Sequence, residues 1–459
     1  MRNNWIVGIV IMCMINMNAY GQLSPVITSW LQNTTQTGTY YVNGNSTAIN
    51  NNVLVNCQQV KYSDNWVYVT ATGMPAYPSG PFLDGNPSQA QNQNRTTKFP
   101  MAPTQNTGTL SPTTGGNIGL FINGVALFDY RDGVAWNSNT NALCGGPGNP
   151  PCPGGPMATQ NWNRDAIPAE MDGFDCSKGH PANGNYHHHQ NPSAFKLDKT
   201  VVSTICNLYD ADGLYVMDEA VHSPLIGYAY DGFPIYGAFG YKNANGSGGI
   251  TRIKSGYQLR NITVRTHHAD GTDVPDGPIV NSTYPIGYFR EDYEFITHQG
   301  EEEYLDKHNG RYCITPEYPN GTYAYFATVD ENLNSAYPYA VGPTFYGNKV
   351  AQVVTTINET TTTYNGSTTS LSDAEFDKMN IHVFPNPSSD FIAVQMEGIT
   401  KKDMDVQLID ANGFMINQTK LNKGQTIGYF DTQTLYAGVY FVLISADGKV
   451  KTTKVIIEK

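Results

Sequence analysis

Short runs of alternating side chains dominate the chain, and they predict a β-rich protein. The segments NWVYVTATG (65–73) and GTYAYFATVD (321–330) both alternate in this way. Successive side chains of a strand point to opposite faces, so such runs are typical of strands with one buried face. Long amphipathic helical patterns are hard to find. We therefore predict a β-dominated fold.

Two longer segments predict β-hairpins. Residues 117–133, NIGLFINGVALFDYRDG, contain two apolar runs around Asn123-Gly124, and residues 224–241, PLIGYAYDGFPIYGAFGY, are divided by Asp231-Gly232. Asn-Gly and Asp-Gly supply the positive φ angles of a type I′ turn. Pro234 cannot donate a ladder hydrogen bond, which predicts a strand at an edge or a bulge.

The pattern divides the chain into four parts. Residues 1–21 contain Arg2, an apolar run and Ala19-Tyr20-Gly21, which together indicate a cleaved secretory signal peptide. A large Gly/Tyr-rich β body is predicted over 22–350, a Thr/Asn-rich linker over 351–380, and a small C-terminal antiparallel β-sandwich over 381–459. No later apolar stretch is long enough to span a bilayer, so we expect no transmembrane segment in the mature chain.

Charge argues against one class of partner. The 459 residues carry a formal net charge of -12 and include no Lys/Arg cluster. Nucleic acids need a basic footprint for their phosphates, so we do not expect them as partners.

The cysteines indicate disulfide bonds. Cys13 lies in the signal peptide, and an even number remains in an exported chain, which favours disulfides over thiolate metal sites. These are Cys57, Cys144, Cys152, Cys176, Cys206 and Cys313. Fifteen pairings are open. Only Cys144–Cys152, across CGGPGNPPC, is predicted, because closing a short loop costs little chain entropy.

A run of three histidines in NGNYHHHQNP (183–192) is the main chemical candidate. On a strand, His187 and His189 share one face, with Cα atoms about 6.6 Å apart, and His188 takes the other. Two such imidazoles can converge on one cation. The alternative is a metal-free pair, since a neutral imidazole is satisfied by one donor and one acceptor.

The C-terminal segments FPNP, LYAGVYFVLI and DGKVKTTKVIIEK occur in order within residues 381–459. They resemble the C-terminal sorting domain of the type IX secretion system of Bacteroidota. The resemblance implies export to the periplasm and then passage across the outer membrane. It also implies the type IX machinery as a partner and a secreted or cell-surface location.

The body resembles the YHYH-domain family of bacterial secreted proteins. The resemblance covers about residues 115–330 and includes NIGLFINGVALFDYRDG, DCSKGHPANGNYHHHQNP, HSPLIGYAYDGFPIYGAFGY and LDKHNGRYCITPEYPNGTYAYF. The family motif Tyr-His-Tyr-His falls on Tyr186 to His189. Both motif histidines are kept as His187 and His189, whereas His188 replaces the second tyrosine.

The matching segments add His180 and His222 to the candidate set. We predict a transition-metal site, copper or zinc, with His187 and His189 as the first ligands, His222 as the third and His180 as the reserve. No organic cofactor is expected. Outer hydrogen-bond acceptors for the imidazoles are predicted at Asp175 or Asp231, although Asp231 is equally explained by its turn.

A second function class is an extracellular carbohydrate-binding or polysaccharide-processing protein without a metal site. Its sequence basis is the aromatic segments YPIGYFREDYEF and GYAYDGFPIYGAFGY, and its partner would be a cell-surface polysaccharide. The motifs Gly-x-Ser-x-Gly and His-Glu-x-x-His are absent, so no catalytic residues are assigned.

Overall fold

A computed structural model describes residues 23–83, 89–146, 148–155, 160–200, 206, 211–365, 381–396, 403–411, 414–422, 424–446 and 449–459. The predicted signal peptide lies outside these residues. Strands dominate the described part of the chain, as the alternating pattern predicts. The helices are single turns: α-helices Pro25–Thr28 (α1) and Ala166–Ala169 (α2), and 3-10 turns Met171–Gly173, Phe195–Leu197 and Arg290–Asp292.

The strands, numbered along the chain, have the following bounds: β1 Thr37–Tyr40, β2 Ile49–Leu54, β3 Cys57–Tyr62, β4 Trp66–Ala71, β5 Arg95–Pro100, β6 Asn117–Phe121, β7 Ala126–Phe128, β8 Arg131–Asn137, β9 Ala142–Cys144, β10 Asn163–Asp165, β11 His180–Ala182, β12 Asn185–His188, β13 Leu225–Ala229, β14 Pro234–Tyr236, β15 Phe239–Tyr241, β16 Ile250–Arg252, β17 Tyr257–Leu259, β18 Tyr293–Phe295, β19 Gly310–Cys313, β20 Thr322–Phe326, β21 Gln352–Val354, β22 Thr362–Tyr364, β23 Ile381–Phe384, β24 Phe391–Met396, β25 Met404–Asp410, β26 Met415–Leu421, β27 Ile427–Asp431, β28 Gly438–Ala446 and β29 Lys449–Ile457.

The first compact unit extends to Tyr364 and is built on two larger sheets. One has eight strands in the order β11-β12-β7-β6-β13-β14-β20-β19, and the other has five in the order β21-β5-β4-β3-β22. Their buried side chains form a single apolar core, with Val69 and Phe99 from the smaller sheet and Phe121, Tyr228 and Phe326 from the larger. This core supports the strand that carries the histidine run.

Both predicted hairpins are present, but with a different turn. Strands β6 and β7 pair antiparallel, as do β13 and β14. Gly124 and Gly232 have positive φ angles of 77° and 92°, whereas Asn123 and Asp231 do not. A type I′ turn needs positive φ at both central residues, so the predicted turn type is wrong.

The strand of Pro234 was predicted to lie at an edge or a bulge. The edge is wrong, and the β13–β14 pairing supports the bulge. Its strand, β14, lies inside the eight-stranded sheet between β13 and β20. Pro234 is the first residue of that strand, where a missing N–H donor is tolerated. The β13–β14 pairing does shift register between Leu225 and Gly227.

The second unit starts at Asn365, fourteen residues after the predicted start of the linker. Strands β21 and β22, which fall in the predicted linker, pair with β5 and β3 and form the two edges of the five-stranded sheet. Threonine suits pleated strand surfaces, so a Thr-rich segment can add edge strands when a sheet is available. Residues 366–380 lie outside the described part.

The second unit contains two antiparallel sheets, β23-β24-β27 and β26-β25-β28-β29. Alternate residues of the strands are buried, and the apolar core includes Val406, Leu408, Phe430, Val442 and Ile444. This arrangement is consistent with the predicted β-sandwich.

The cysteines follow the disulfide prediction only in part. Cys144–Cys152 is bonded as predicted, and a second bond joins Cys176 to Cys206. Cys57 and Cys313 are free thiols, respectively 0% and 1% exposed. Both pack as small apolar side chains in the core, which an even cysteine count cannot reveal.

A fully buried ion pair joins Arg265 to Asp292. Its two hydrogen bonds measure 2.7 and 2.8 Å, and both side chains are 0% exposed. Replacing Arg265 by Met leaves a buried carboxylate without its cation, and we expect the free energy of unfolding to fall by about 3–5 kcal/mol. Lys199→Met, which removes an exposed ion pair with Glu219, should cost less than about 1 kcal/mol. Denaturant unfolding measures both, and equal losses would contradict this prediction.

Candidate metal site

A β-hairpin with a two-residue turn places two histidines opposite each other on paired strands. Strands β11 and β12 pair antiparallel, with His180 opposite His187 and Ala182 opposite Asn185. The connecting residues Asn183 and Gly184 have φ angles of 50° and 81°, which places a positive φ at both turn positions, as a type I′ turn requires. Side chains directly opposite each other on paired strands are close neighbours, so this turn sets the distance between the two imidazoles.

Three imidazole rings converge on one face of this hairpin. The ring centroids of His187 and His189 are 4.8 Å apart, and His180 lies 4.6 Å from His187 and 5.6 Å from His189. One ligand atom from each ring lies within 4.8 Å of the others. Among the described residues, this is the group of His, Cys, Asp and Glu side chains that could hold a metal ion.

Backbone carbonyls set the orientation of two of the rings. Nδ1 of His187 lies 2.9 Å from the carbonyl oxygen of Asn185, and Nδ1 of His189 lies 2.6 Å from that of Asp129. A carbonyl oxygen only accepts, so each Nδ1 carries the proton and donates it. Each Nε2 therefore keeps a free lone pair, and the two Nε2 atoms face each other at 3.1 Å.

The three imidazoles are neutral because they are buried. His180, His187 and His189 are 6%, 1% and 4% exposed. Burial, followed by the neighbouring histidines, lowers the pKa of His180 to about 3 and holds the pKa of His187 well below its usual range. Burial also lowers the pKa of His189 to about 4. Their lone pairs are thus available at neutral pH without displacing protons.

Glu170 adds a carboxylate to the cluster. Its Oε2 atom lies 3.4 Å from Nε2 of both His180 and His189, and its side chain is 25% exposed. Glu170 is the C-cap residue of α2, and the side chain of Asp165 caps the other end of this helix by accepting from the N–H of Ile167. Glu170 is not among the site residues predicted from the sequence, where its only signal is its position ten residues before His180.

Aromatic rings surround the cluster. Phe128 stacks on His187 with centroids 3.8 Å apart, and the edge of Phe174 meets His180 at 4.8 Å. These rings restrict the rotation of the imidazoles and keep water away from them, so the nitrogens are held in a low-dielectric pocket.

Two families match this chain. The YHYH protein family matches residues 96–338, which is more than half of the chain. The chain belongs to the YHYH protein family. A secretion system C-terminal sorting domain matches residues 382–458. Among curated proteins, none matches the chain.

The sorting domain indicates where this YHYH protein is located. It directs export by the type IX secretion system to the cell surface or the extracellular space, with the type IX machinery as its partner. In the part of the chain that the structure describes, no helix combines the length and the apolarity needed to cross a membrane.

The residue that departs from the family motif lies away from the cluster. His188 points to the other face of β12, where its Nε2 is 2.7 Å from the hydroxyl of Tyr77 and its Nδ1 is 3.0 Å from the carbonyl oxygen of Lys178. Its ring packs edge-on against Phe121 in the core. Replacing the motif tyrosine by histidine therefore leaves the cluster of this YHYH protein intact.

His222 is not part of the cluster, contrary to the sequence prediction. Its Nδ1 lies 2.7 Å from the carbonyl oxygen of Ser223, and its ring packs against Tyr236 and Tyr241. His180, predicted only as the reserve, occupies the third position. The reason is the Asn183-Gly184 turn, which places His180 opposite His187.

The predicted outer acceptors are also wrong. Asp175 accepts from the hydroxyl of Tyr186 at 2.7 Å and from backbone N–H groups, and Asp231 accepts from the hydroxyl of Tyr325 and the N–H of Gly347. Burial raises the pKa of Asp175 to about 7 and that of Asp231 to about 6. In the part of the chain that the structure describes, neither carboxylate forms a hydrogen bond with the imidazoles of the cluster. Backbone carbonyls hold the rings of His187 and His189 instead.

Proposed function

We propose that this secreted YHYH protein binds one transition-metal ion, zinc or copper, through His180, His187 and His189. The observation that carries the proposal is the 3.1 Å approach of two Nε2 atoms whose Nδ1 protons are committed to carbonyls. Two lone pairs in this position repel each other unless a cation lies between them.

The distances suit a shared ion. Two nitrogens bound at about 2.0–2.1 Å lie about 3.3 Å apart in a tetrahedral site and about 2.9 Å apart at a right angle. The observed 3.1 Å between Nε2 of His187 and Nε2 of His189 falls between these values. The 3.4 Å distances from Glu170 to His180 and His189 fit a fourth ligand at a tetrahedral corner.

The donor set indicates the class of metal. Three imidazoles and one carboxylate match the ligands of zinc and of copper(II), whereas magnesium and calcium prefer oxygen ligands alone. With Glu170 as the fourth ligand, all four tetrahedral positions are filled by the protein. We therefore propose a bound metal ion and assign no reaction to it. Tetrahedral geometry favours zinc, and the general affinity order favours copper.

The metal-free alternative has a physical cost. A neutral buried histidine is stable when its N–H donates to an acceptor and its other ring nitrogen accepts from a donor. Here Nδ1 of His180 is buried and forms no hydrogen bond within the described residues. The facing lone pairs of His187 and His189 add a second mismatch. A bound cation removes the second mismatch, whereas Nδ1 of His180 stays unpaired when the ion is bound through Nε2.

Elemental analysis tests this function directly. The chain should be purified without a polyhistidine tag, which would itself bind metal. We expect one zinc or copper ion per chain, either as isolated or after dialysis against each metal and removal of the excess. A chain that remains metal-free under both conditions would overturn the proposal.

A further inference from the structure

Two clefts in the first unit adjoin a two-stranded ribbon and are distinct from the histidine cluster. The ribbon is formed by β17 and β18, in which Tyr257 pairs with Phe295. The clefts have volumes of about 520 and about 510 Å³, and Phe295 lines both. Each volume is in the range of pockets that hold small organic ligands.

The first, which we call the arginine cleft, has an aromatic wall and an unsatisfied donor. Its lining includes Gln160, Asn161, Tyr257, Asp270, Arg290 and Tyr293. Nε of Arg290 donates to Glu291 at 2.6 Å, but its buried Nη1 forms no hydrogen bond with any described residue. A buried N–H group without an acceptor is costly, and a ligand oxygen in the cleft would remove that cost.

The second, which we call the histidine cleft after His308, is separate from the histidine cluster and offers an unpaired ring nitrogen. Its lining includes Gln105, His298, Tyr304, Lys307, His308 and Tyr346. Nδ1 of His308 contacts Thr344. It lies 2.7 Å from the side-chain hydroxyl and 3.1 Å from the backbone carbonyl oxygen of that residue. Nε2 of His308 has no hydrogen-bond partner in the described part of the chain. This nitrogen is therefore available to a ligand.

The aromatic walls are rigid. Tyr293 stacks on Tyr337 with centroids 4.0 Å apart and ring planes 4° apart, and Tyr257 meets Tyr337 edge-on at 5.3 Å. In the histidine cleft, His298 stacks on Tyr304 at 3.6 Å. Rings held in this way give apolar contact area at a low cost in side-chain entropy.

The charges of the linings select the ligand class. Carboxylates outnumber basic groups in the arginine cleft, which combines Arg290 with Asp270, Glu291 and Glu294, and basic groups outnumber carboxylates in the histidine cleft, which combines Lys307 and Arg311 with Asp306. An anion would be repelled by the carboxylates, and a cation by the basic groups. A neutral polyhydroxylated ligand is repelled by neither. Its hydroxyls both donate and accept, so they can pair with Nη1 of one cleft and Nε2 of the other.

We propose that the two clefts together bind a neutral oligosaccharide that extends across Phe295. The aromatic walls contact the apolar faces of the sugar rings, and planar polar side chains, including amides and Arg290, bond the hydroxyls. Occupation of both clefts requires a ligand longer than a disaccharide. This inference is independent of metal binding.

Calorimetric titration of the full chain with cellohexaose, laminarihexaose, mannohexaose and xylohexaose tests the proposal. We expect at least one hexasaccharide to bind, and its disaccharide to bind at least about tenfold more weakly because it fills a single cleft. The double variant His187→Asn/His189→Asn should bind the hexasaccharide unchanged. The proposal is overturned if none of the four binds, or if the disaccharide binds as tightly as the hexasaccharide.

Two variants locate the binding. Arg290→Lys keeps the positive charge but removes Nη1, and His308→Asn keeps a donor near the position of Nδ1 but removes Nε2. Each should weaken binding of the hexasaccharide about tenfold. Tyr312→Ala removes an aromatic side chain that is 64% exposed and lines neither cleft, so binding should not change.

Melting curves show which of these variants are folded. If one variant unfolds, the other decides the result. Unchanged binding in the folded variants, or a loss confined to Tyr312→Ala, would place the saccharide elsewhere and overturn the assignment.

Discussion

Replacing both His187 and His189 by asparagine should abolish stoichiometric metal binding. The asparagine amide nitrogen lies near the position of Nδ1 in histidine, so it can still donate to the carbonyls of Asn185 and Asp129. Only the two Nε2 lone pairs are removed. We expect the affinity for zinc to fall by more than about 100-fold. Loss of a residue that only hydrogen-bonds to a metal ligand already lowers metal affinity by about 10- to 100-fold, and here two ligands themselves are lost. Competition titration with a chromophoric chelator measures this change.

The histidine outside the cluster provides the matched control. In His222→Asn, the amide can likewise donate to the Ser223 carbonyl, and the affinity for zinc should not change. His180→Asn should weaken binding, because it removes the third imidazole. The reverse pattern, in which His222→Asn loses the metal and His180→Asn keeps it, would restore the ligand set predicted from sequence and contradict the structural one.

Metal should also stabilise the protein strongly. A cation bound between the two Nε2 atoms, which lie 3.1 Å apart, removes the repulsion between their lone pairs in the folded protein. Zinc at about 1,000 times its dissociation constant should add about 4 kcal/mol to the free energy of unfolding, if it does not bind the unfolded chain. Calorimetry should show this as a higher unfolding temperature for the first unit, reversed by a chelator.

The double variant His187→Asn/His189→Asn separates this effect from adventitious binding. Its unfolding temperature should not respond to zinc. A shift equal to that of the unsubstituted chain would mean that zinc stabilises another site, and the proposed role of the cluster would then fail. Heating should be compared at one pH and one protein concentration.

Features of the fold that depend on neighbouring residues could be predicted from the sequence. Alternation predicts the strands, and Asn123-Gly124 and Asp231-Gly232 predict the hairpins. Cys144–Cys152 follows from a short loop. The shared face of His187 and His189 follows from the period of two residues in a strand. In each case, backbone sterics or chain entropy acts over a few residues.

One part of the site was also encoded locally. Asn183-Gly184 is the same turn signal that predicts the hairpin at Asn123-Gly124, and it places His180 opposite His187. Applying this rule to residues 180–187 would have ranked His180 above His222. The turn at 183–184 has positive φ at both central residues, as type I′ requires, whereas at 123–124 only Gly124 has a positive φ and the hairpin forms with another turn.

The sequence by itself determined a β-dominated chain with a secretion sorting domain and two imidazoles on one strand face. Only the tertiary structure decided what surrounds them. Parallel pairing of β12 with β7 brings the carbonyl of Asp129 to His189, and the end of α2 brings Glu170 to the cluster. Long-range packing likewise left Cys57 and Cys313 as buried thiols and brought the hydroxyl of Tyr325 to Asp231. Such contacts join residues far apart in the chain, and no local period or turn signal specifies which of them meet.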